Sequence, residues 1–500
     1  MLKSVKFGLF ASAFSLAQPA KAEWIETKTE HFTIYGDMTQ QQAADYATKA
    51  ERFDRMLRFI TNIKDDSDVP IDRVVIYVVP SVETIRAMTR SSLIAGFYNS
   101  DAQGSLAVMP LRVPSEWGAG ANHVLFHEYS HHILLSSTQT QYPGWIQEGL
   151  AELFGTAKIR DDGSILVGAP PQMRGYALHR QYQLNVEELL GIDGRKLSPE
   201  ARDDKYARGW LLSHYLLLSN KRPGQFDAYL KQFSKGVGSV DAGRAAFGDL
   251  GRLNTELNVY NRVGKFPAII VPASQTSVGK VTTRKLSPCE AKIMPSRLRS
   301  AAGVDEKAAA ALVAPARSVA AECLNDAFVQ RSLAEIEFDA KNNDAALAAA
   351  ERAIELEPSN VMAWVYKGRV YARQKRWPEA RSAFVRANRF SSDYALPLKL
   401  YYDSFMLAGQ QPSKAAIDGL YRAVVLAPQD GPLRQRAAYS LIREGDLKTA
   451  RTVLAPVAFS AHAGPDNPAL PVLQKIDAGG DQASVMAEAS KAKWNELGKE

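Results

Sequence analysis

Two histidines and a glutamate stand in the order His-Glu-x-x-His at His127, Glu128 and His131. On a helix, residues four positions apart lie on the same face, so both imidazoles can bind one metal ion. Glu128 lies about 100° around the helix from His127, where its carboxylate can reach a water molecule held by the ion. Two histidines and one further carboxylate bind zinc with one coordination position left open, which is the catalytic arrangement. This spacing predicts a zinc-dependent hydrolase.

The third zinc ligand has to come from another element. Glu148 is the candidate because a Trp-x-x-Glu-Gly-Leu-Ala-Glu run follows at 145–152. The alternative is an ordinary amphipathic helix whose histidines face solvent or fill a core. Apolar residues at 124–126 and 133–135 predict that the helix is buried. Buried His and Glu side chains are unfavourable unless something pairs with them, which favours the metal site.

Together the two stretches resemble the gluzincin-type metallopeptidases, in which a second helix beginning Asn-Glu-Gly-x-Ala-Glu follows the His-Glu-x-x-His helix. This chain has Gln147 where Asn is more usual. The resemblance implies that Glu148 is the third zinc ligand and that Glu152, one turn later, hydrogen-bonds a ligating histidine and fixes its orientation. The metzincin pattern would need Gly and His where the chain has Leu134 and Ser137.

A Tyr-x-x-Gly segment begins at Tyr206 and resembles the corresponding segment of gluzincin aminopeptidases. It is predicted to open a helix over 206–218. The resemblance implies that the Tyr206 hydroxyl donates to the oxyanion of the tetrahedral intermediate. Packing of the ring beside Trp210 is the alternative role. His214, two turns further along the predicted helix, is a weaker candidate for the same hydrogen bond.

The elements that position these residues read as an α+β unit. Alternating apolar and polar residues predict a strand over 24–36, and a long amphipathic pattern predicts a helix over 40–63. A pair of strands is predicted within 96–110. By the resemblance, its second strand, 105–109, is the edge strand on which an extended peptide lies by strand addition. The whole stretch 23–265 is therefore predicted to be a zincin-like metallopeptidase domain.

A 34-residue period after residue 328 indicates a second domain, an all-α tetratricopeptide-repeat solenoid over 305–460. The signature positions of one repeat are occupied by Trp364, Gly368, Tyr371, Ala380, Phe384 and Ala387. One repeat cannot bury its own apolar face, but stacked helix pairs can. The concave side of such a solenoid is predicted to hold a peptide or protein partner. A spacer or a dimerisation surface is the alternative.

Three further segments complete the division of the chain. Residues 266–304 are predicted to be a linker or a β-rich extension that packs back on the peptidase. Residues 461–500 are predicted to be a tail with a single last helix. Residues 1–22 have the basic, apolar and small-residue parts of a signal peptide, which predicts a periplasmic or secreted protein. In such an oxidising compartment Cys289 and Cys323 can form one disulfide, although the sequence does not show that they meet.

Charge and hydropathy exclude two further classes. The formal net charge of +7 is modest for 500 residues. No basic block interleaved with aromatic residues is present, so nucleic-acid binding has no support. No stretch after the signal peptide is apolar enough to span a bilayer.

Two functions follow from these features. The favoured one is a zinc peptidase of the cell envelope whose repeats recruit a protein partner or substrate. The alternative is a catalytically silent zinc-binding scaffold whose repeats mediate protein–protein interaction. Pseudoenzymes usually lose the motif glutamate or a ligand, whereas His127, Glu128, His131 and Glu148 are all present. No Gly-x-Met-Glu-Asn segment precedes the motif, which favours an endopeptidase over an aminopeptidase.

Overall fold

The fold is that of a computed structural model, and part of the chain is described by it. The described residues are 23–63, 73–89, 96–113, 121–136, 142–180, 183–193, 195–460, 466–492 and 494. The predicted signal peptide lies outside them. Among the helices that the structure describes, none is both long and apolar enough to cross a membrane.

Strands and helices alternate in the N-terminal part of the chain, which has α+β content. The strands are β1 (Glu23–Lys28), β2 (Phe32–Met38), β3 (Val74–Ser81), β4 (Phe97–Asp101), β5 (Gly104–Arg112), β6 (Lys158–Ile159), β7 (Ile165–Val167), β8 (Ile269–Val271) and β9 (Thr282–Lys285). The helices are α1 (Gln40–Thr61), α2 (Val82–Thr89), α3 (Ala121–Ser136), α4 (Gly144–Gly155), α5 (Gly175–His179), α6 (Val186–Leu190), α7 (Pro199–Leu218), α8 (Gln225–Phe233), α9 (Ser239–Phe247) and α10 (Leu250–Val263). Helix α1 begins at the predicted residue, Gln40, and ends two residues before the predicted end.

Within the described residues, β4-β5-β3-β2-β1-β9 form a six-stranded sheet in that order, and β6-β7-β8 form a smaller one. The pairs β2–β3 and β3–β5 are parallel, and β4–β5, β1–β2 and β1–β9 are antiparallel. The segment between the two predicted domains thus contributes β9 to the large sheet and β8 to the small one.

Two strand predictions are wrong. Residues 24–36 form two strands, because the chain turns at Thr29, whose side chain and backbone both bond Phe32. The predicted edge strand 105–109 lies in β5, which is paired on both sides. At this end of the described sheet the edge strand is β4, because the turn after Asp101 folds it back along the outer side of β5.

Packing on one face of the sheet fixes the position of α3. The ring of Phe53 on α1 stacks on that of Phe126 on α3, with centroids 3.8 Å apart. On the next turn of α3, the Tyr129 hydroxyl donates to the buried Asp54 carboxylate at 2.7 Å. The Tyr129 ring also lies 4.9 Å from that of Phe32 on β2. The helix that carries the two histidines is therefore held against both the sheet and α1.

The rest of the chain is an array of helices that pack in sequential pairs. They are α11 (Pro288–Ala301), α12 (Glu306–Glu322), α13 (Ala327–Asp339), α14 (Asn343–Leu356), α15 (Val361–Arg373), α16 (Trp377–Phe390), α17 (Ala395–Leu407), α18 (Lys414–Leu426), α19 (Gly431–Glu444), α20 (Leu447–Ala458), α21 (Ala469–Asp477) and α22 (Gln482–Lys491). Pairs of this kind approach closely: a Cβ on Gly368 of α15 would overlap the Phe384 ring of α16. A disulfide joins Cys289 at the start of α11 to Cys323 after α12.

The predicted last helix of the tail corresponds to α22, but the tail also forms α21, which was not predicted. Residues 466–492 form α21 and α22, which continue the helical array. Val472, Leu473 and Val485 are buried in a cluster with α19 and α20. Apolar burial, which the local composition does not reveal, orders this segment.

Candidate metal centre

Three side chains with metal-binding atoms meet where α3 packs on α4. His127 and His131 lie one turn apart on α3, and both are buried. Glu148 lies on the first turns of α4 and has no exposed surface. Their ligand atoms all lie within 4.8 Å of one another. The structure therefore brings together the three residues predicted as metal ligands.

The distances between these atoms suit a zinc ion. Glu148 Oε2 lies 3.5 Å from His127 Nε2 and 3.4 Å from His131 Nε2. Tetrahedral ligands at about 2.0 Å from zinc are separated by about 3.3 Å. Two imidazoles and one carboxylate are also the donor types of catalytic zinc sites. The donor set fits the metal in both chemistry and spacing.

The electrostatics of the centre favour a positive charge. Burial lowers the pKa of His127, but the nearby carboxylates of Glu148, Glu152 and Glu128 outweigh it and raise the pKa to about 9. An imidazole holds a proton this tightly where the surroundings are negative. The same surroundings would stabilise a divalent cation.

Glu128 and Tyr206 border the three candidate ligands. Glu128 is half-buried, and its charge acts on both His127 and Tyr206. The Tyr206 ring lies 5.9 Å from the His127 ring, and the charge of Glu148 acts on its hydroxyl. Burial, followed by the charge of Glu148, raises the pKa of Tyr206. The hydroxyl therefore keeps its proton and is a donor at neutral pH.

The prediction that Tyr206 opens a helix is wrong. Helix α7 begins two turns earlier, at Pro199, because Ser198 caps it by accepting a hydrogen bond from the Ala201 N–H. Proline at the first helical position favours the same start. Tyr206 therefore lies inside a helix, where its backbone is fixed.

Glu152 faces the centre but is held by a residue that the sequence did not single out. Its Oε1 is 3.8 Å from His127 Nδ1, which is too long for the predicted hydrogen bond. Instead Glu152 accepts hydrogen bonds at 3.0 and 2.8 Å from the Arg174 guanidinium. Arg174 also lies over the Tyr206 ring, 4.4 Å from its centroid, and bonds Asp203 at 3.0 Å. Arg174 thus contacts both Glu152 and Tyr206, which lie on either side of His127.

His214, the weaker candidate, has partners for both ring nitrogens. Nε2 is 3.1 Å from the Gly168 carbonyl oxygen, and the Tyr260 hydroxyl is 2.9 Å from Nδ1. The ring is fully buried and lies 5.0 Å from the Trp210 ring. Its contacts are those of a packed core histidine.

Comparison with known proteins identifies repeats within the helical array. The sequence profile of the tetratricopeptide repeat matches residues 331–395. The C-terminal region contains tetratricopeptide repeats. No curated protein matches the sequence.

Several solved structures are similar to the chain. One is YrrB, described as a TPR protein with an unusual peptide-binding site. It is 21% identical over 36% of this chain and 94% of its own, with a TM-score of 0.29. TTC0263, a thermophilic TPR protein in Thermus thermophilus, is 18% identical over 38% of this chain and 98% of its own, with a TM-score of 0.30. Yeast Tom70 is 11% identical over 64% of this chain and 68% of its own, with a TM-score of 0.25.

Proposed function

We propose that this protein is a zinc-dependent peptidase of the gluzincin type, acting in the periplasm or outside the cell. The observation that carries the proposal is the position of the Glu148 carboxylate 3.4–3.5 Å from both imidazoles, the separation expected of zinc ligands. Endopeptidase action is favoured, since the chain lacks the amine-binding segment of aminopeptidases. Tetratricopeptide repeats suggest protein–protein interaction, and here they would recruit a protein substrate or partner.

Each residue of the centre has a separate task in this proposal. His127, His131 and Glu148 would hold a zinc ion, which lowers the pKa of a bound water and polarises a carbonyl group. Glu128 would accept the proton of the attacking water and pass it to the leaving amine, because it is half-buried beside the centre and is not a ligand. The Tyr206 hydroxyl would donate a hydrogen bond to the oxygen of the scissile carbonyl as negative charge develops there.

Zinc content and hydrolysis test the proposal together. The purified chain should contain about one zinc ion, which is lost in His127→Ala, His131→Ala and Glu148→Ala. The matched control is His179→Ala, at an exposed histidine of α5. Glu128→Gln should keep the zinc and the fold but lose hydrolysis of an unstructured protein.

Two results would contradict the proposal. A wild type that stays metal-free after zinc supplementation would remove its basis. A wild type that binds zinc but cleaves nothing would favour the silent scaffold. Retained hydrolysis in Glu128→Gln would show that another group accepts the proton.

A further inference from the structure

The turn between β4 and β5 inserts into the helical array. Ala102, at the tip of this turn, is 2% exposed. It belongs to an apolar cluster with Val365 of α15, Leu396 of α17 and Leu433 of α19. These are the first helices of three successive pairs. The β4–β5 turn therefore occupies the face of the array that these helices form.

Hydrogen bonds from the array hold the backbone of this turn. The Ala102 N–H donates to Asp430 Oδ2 at 2.8 Å, and the Tyr394 hydroxyl donates to the Gln103 carbonyl at 2.7 Å. Asp430 is 2% exposed and its other oxygen caps α19 by accepting from the Leu433 N–H at 2.8 Å. The cap fixes the carboxylate so that it meets the turn in one orientation.

The residue beside Asp430 contacts helix α3, which carries two of the candidate metal ligands. Gln429 Nε2 lies 3.3 Å from His132 Nδ1, which the Tyr98 hydroxyl of β4 also approaches at 2.6 Å. His132 directly follows His131, one of the three candidate ligands. Strand β4, helix α3 and the helical array therefore share one contact point next to the metal centre.

We infer that the helical array positions β4 as the strand to which an extended peptide substrate adds, with Asp430 and Tyr394 as positioning residues. The inference rests on the proposed peptidase function. Among the described residues, β4 is one of the two edge strands of the large sheet, and an edge strand can pair with an extended peptide through its backbone. A five-residue edge strand, whose backbone is paired within the described residues with β5 alone, frays readily. Fixing the β4–β5 turn keeps β4 extended beside α3, so that its outer edge can pair with the peptide.

In this arrangement the repeats affect the active site through the strand that borders it. The groove face that a separate partner would use is filled, in part, by the chain's own β4–β5 turn. The repeats thus act on the substrate indirectly, by fixing the strand on which it lies. Substrate preference would then depend on residues far from the metal centre in sequence.

Asp430→Ala tests the inference against Asp446→Ala, a matched control. Asp446 caps α20 through the Thr449 N–H at 3.0 Å, as Asp430 caps α19, but its side chain bonds its own helix. Both variants lose a cap, while only Asp430→Ala loses the bond to the turn. The backbone amides of 97–104 should exchange with deuterium about tenfold faster in Asp430→Ala and at the wild-type rate in Asp446→Ala.

Kinetics give a second readout that a merely structural role would not separate. In Asp430→Ala the KM for a peptide long enough to lie along β4 should rise about tenfold, with kcat changed less than about threefold. Zinc content should not change. Tyr394→Phe removes only the hydroxyl that bonds Gln103 and should change exchange and KM in the same direction. Tyr371→Phe, on the neighbouring helix α15, is its control.

The two proposals fail differently. A wild type that cleaves no peptide would overturn the peptidase function and with it the assignment of β4 as a substrate strand. A wild type that cleaves peptides, together with an Asp430→Ala variant that matches Asp446→Ala in exchange and in KM, would overturn the positioning role alone. If Asp430→Ala does not fold, the same comparison between Tyr394→Phe and Tyr371→Phe decides.

Discussion

Gly149 on α4 and Gly209 on α7 face each other where the two helices cross. A Cβ on Gly149 would overlap the Gly209 carbonyl group, and a Cβ on Gly209 would lie 2.8 Å from the Trp145 carbonyl oxygen. The absence of both side chains lets the helices approach closely. Glu148 precedes Gly149, and Tyr206 lies one turn before Gly209, so this crossing brings the carboxylate and the tyrosine together.

Gly149→Ala should therefore destabilise the protein. In an open helix, alanine in place of glycine stabilises by about 0.5–1 kcal/mol. Here the added methyl group forces α4 and α7 apart, and we expect a net loss of about 1–3 kcal/mol. The control is Gly419→Ala in α18, where the nearest atom to a new Cβ is 3.6 Å away. Equal midpoints of denaturant unfolding for the two variants would contradict the tight crossing.

Tyr206→Phe tests the tyrosine as an oxyanion donor. Removing the hydroxyl deletes an interaction made mainly in the transition state, so kcat should fall roughly tenfold to a thousandfold with little change in KM. Tyr176→Phe, at a tyrosine that is 79% exposed, is the control. Steady-state kinetics on one peptide measure both. An unchanged kcat would leave Tyr206 with a packing role only.

The motifs made the cluster of candidate ligands predictable, because each motif lies within one helix and local spacing determines which residues share a face. His127 and His131 meet Glu148 as expected. Arg174 could not be predicted. Its partner Glu152 is 22 positions away, and nothing near residue 174 distinguishes this arginine from the others in the chain.

The errors in the fold have physical causes as well. Alternation predicts strands but not their order in a sheet, and so β5 was taken for the edge in place of β4. The composition of 461–500 resembles that of disordered segments, yet α21 and α22 bury enough apolar surface against α19 and α20 to be ordered. Contact between the β4–β5 turn and Asp430 joins positions 328 residues apart and leaves no local signal.

Arg174→Gln should weaken zinc binding, although Arg174 is not one of the candidate ligands. The guanidinium is the hydrogen-bond donor to the buried Glu152, whose charge also acts on His127. Without it, Glu152 is free to turn, and its negative charge is less well placed beside His127. We expect roughly 10–100-fold weaker zinc binding, the usual effect of losing a group behind a ligand.

Competition with a zinc chelator measures the effect of Arg174→Gln. Arg244→Gln is the control, because Arg244 bonds Glu187 in an exposed pair and such pairs contribute little. Equal zinc affinity in the two variants would show that Arg174 does not support the centre.

Truncation tests where the N-terminal unit ends. A chain cut after residue 270 loses β9 and part of β8, which complete the two sheets. It also loses Met294 and Leu298 of α11, which pack on the face of the large sheet away from α3. Exposed apolar surface and open strand edges favour aggregation. We expect this shorter chain to be insoluble.

A chain cut after residue 324 should behave differently. It keeps β8, β9, α11 and the disulfide between Cys289 and Cys323, and so should remain soluble and bind zinc. It loses Asp430 and Tyr394, so the β4–β5 turn is no longer held and long peptides should bind more weakly than in the full chain. Solubility, zinc content and KM measure these effects. Aggregation of both truncated chains would mean that the repeats belong to the folding unit of the metal centre, because the bonds to Ala102 and Gln103 would then be needed for its stability.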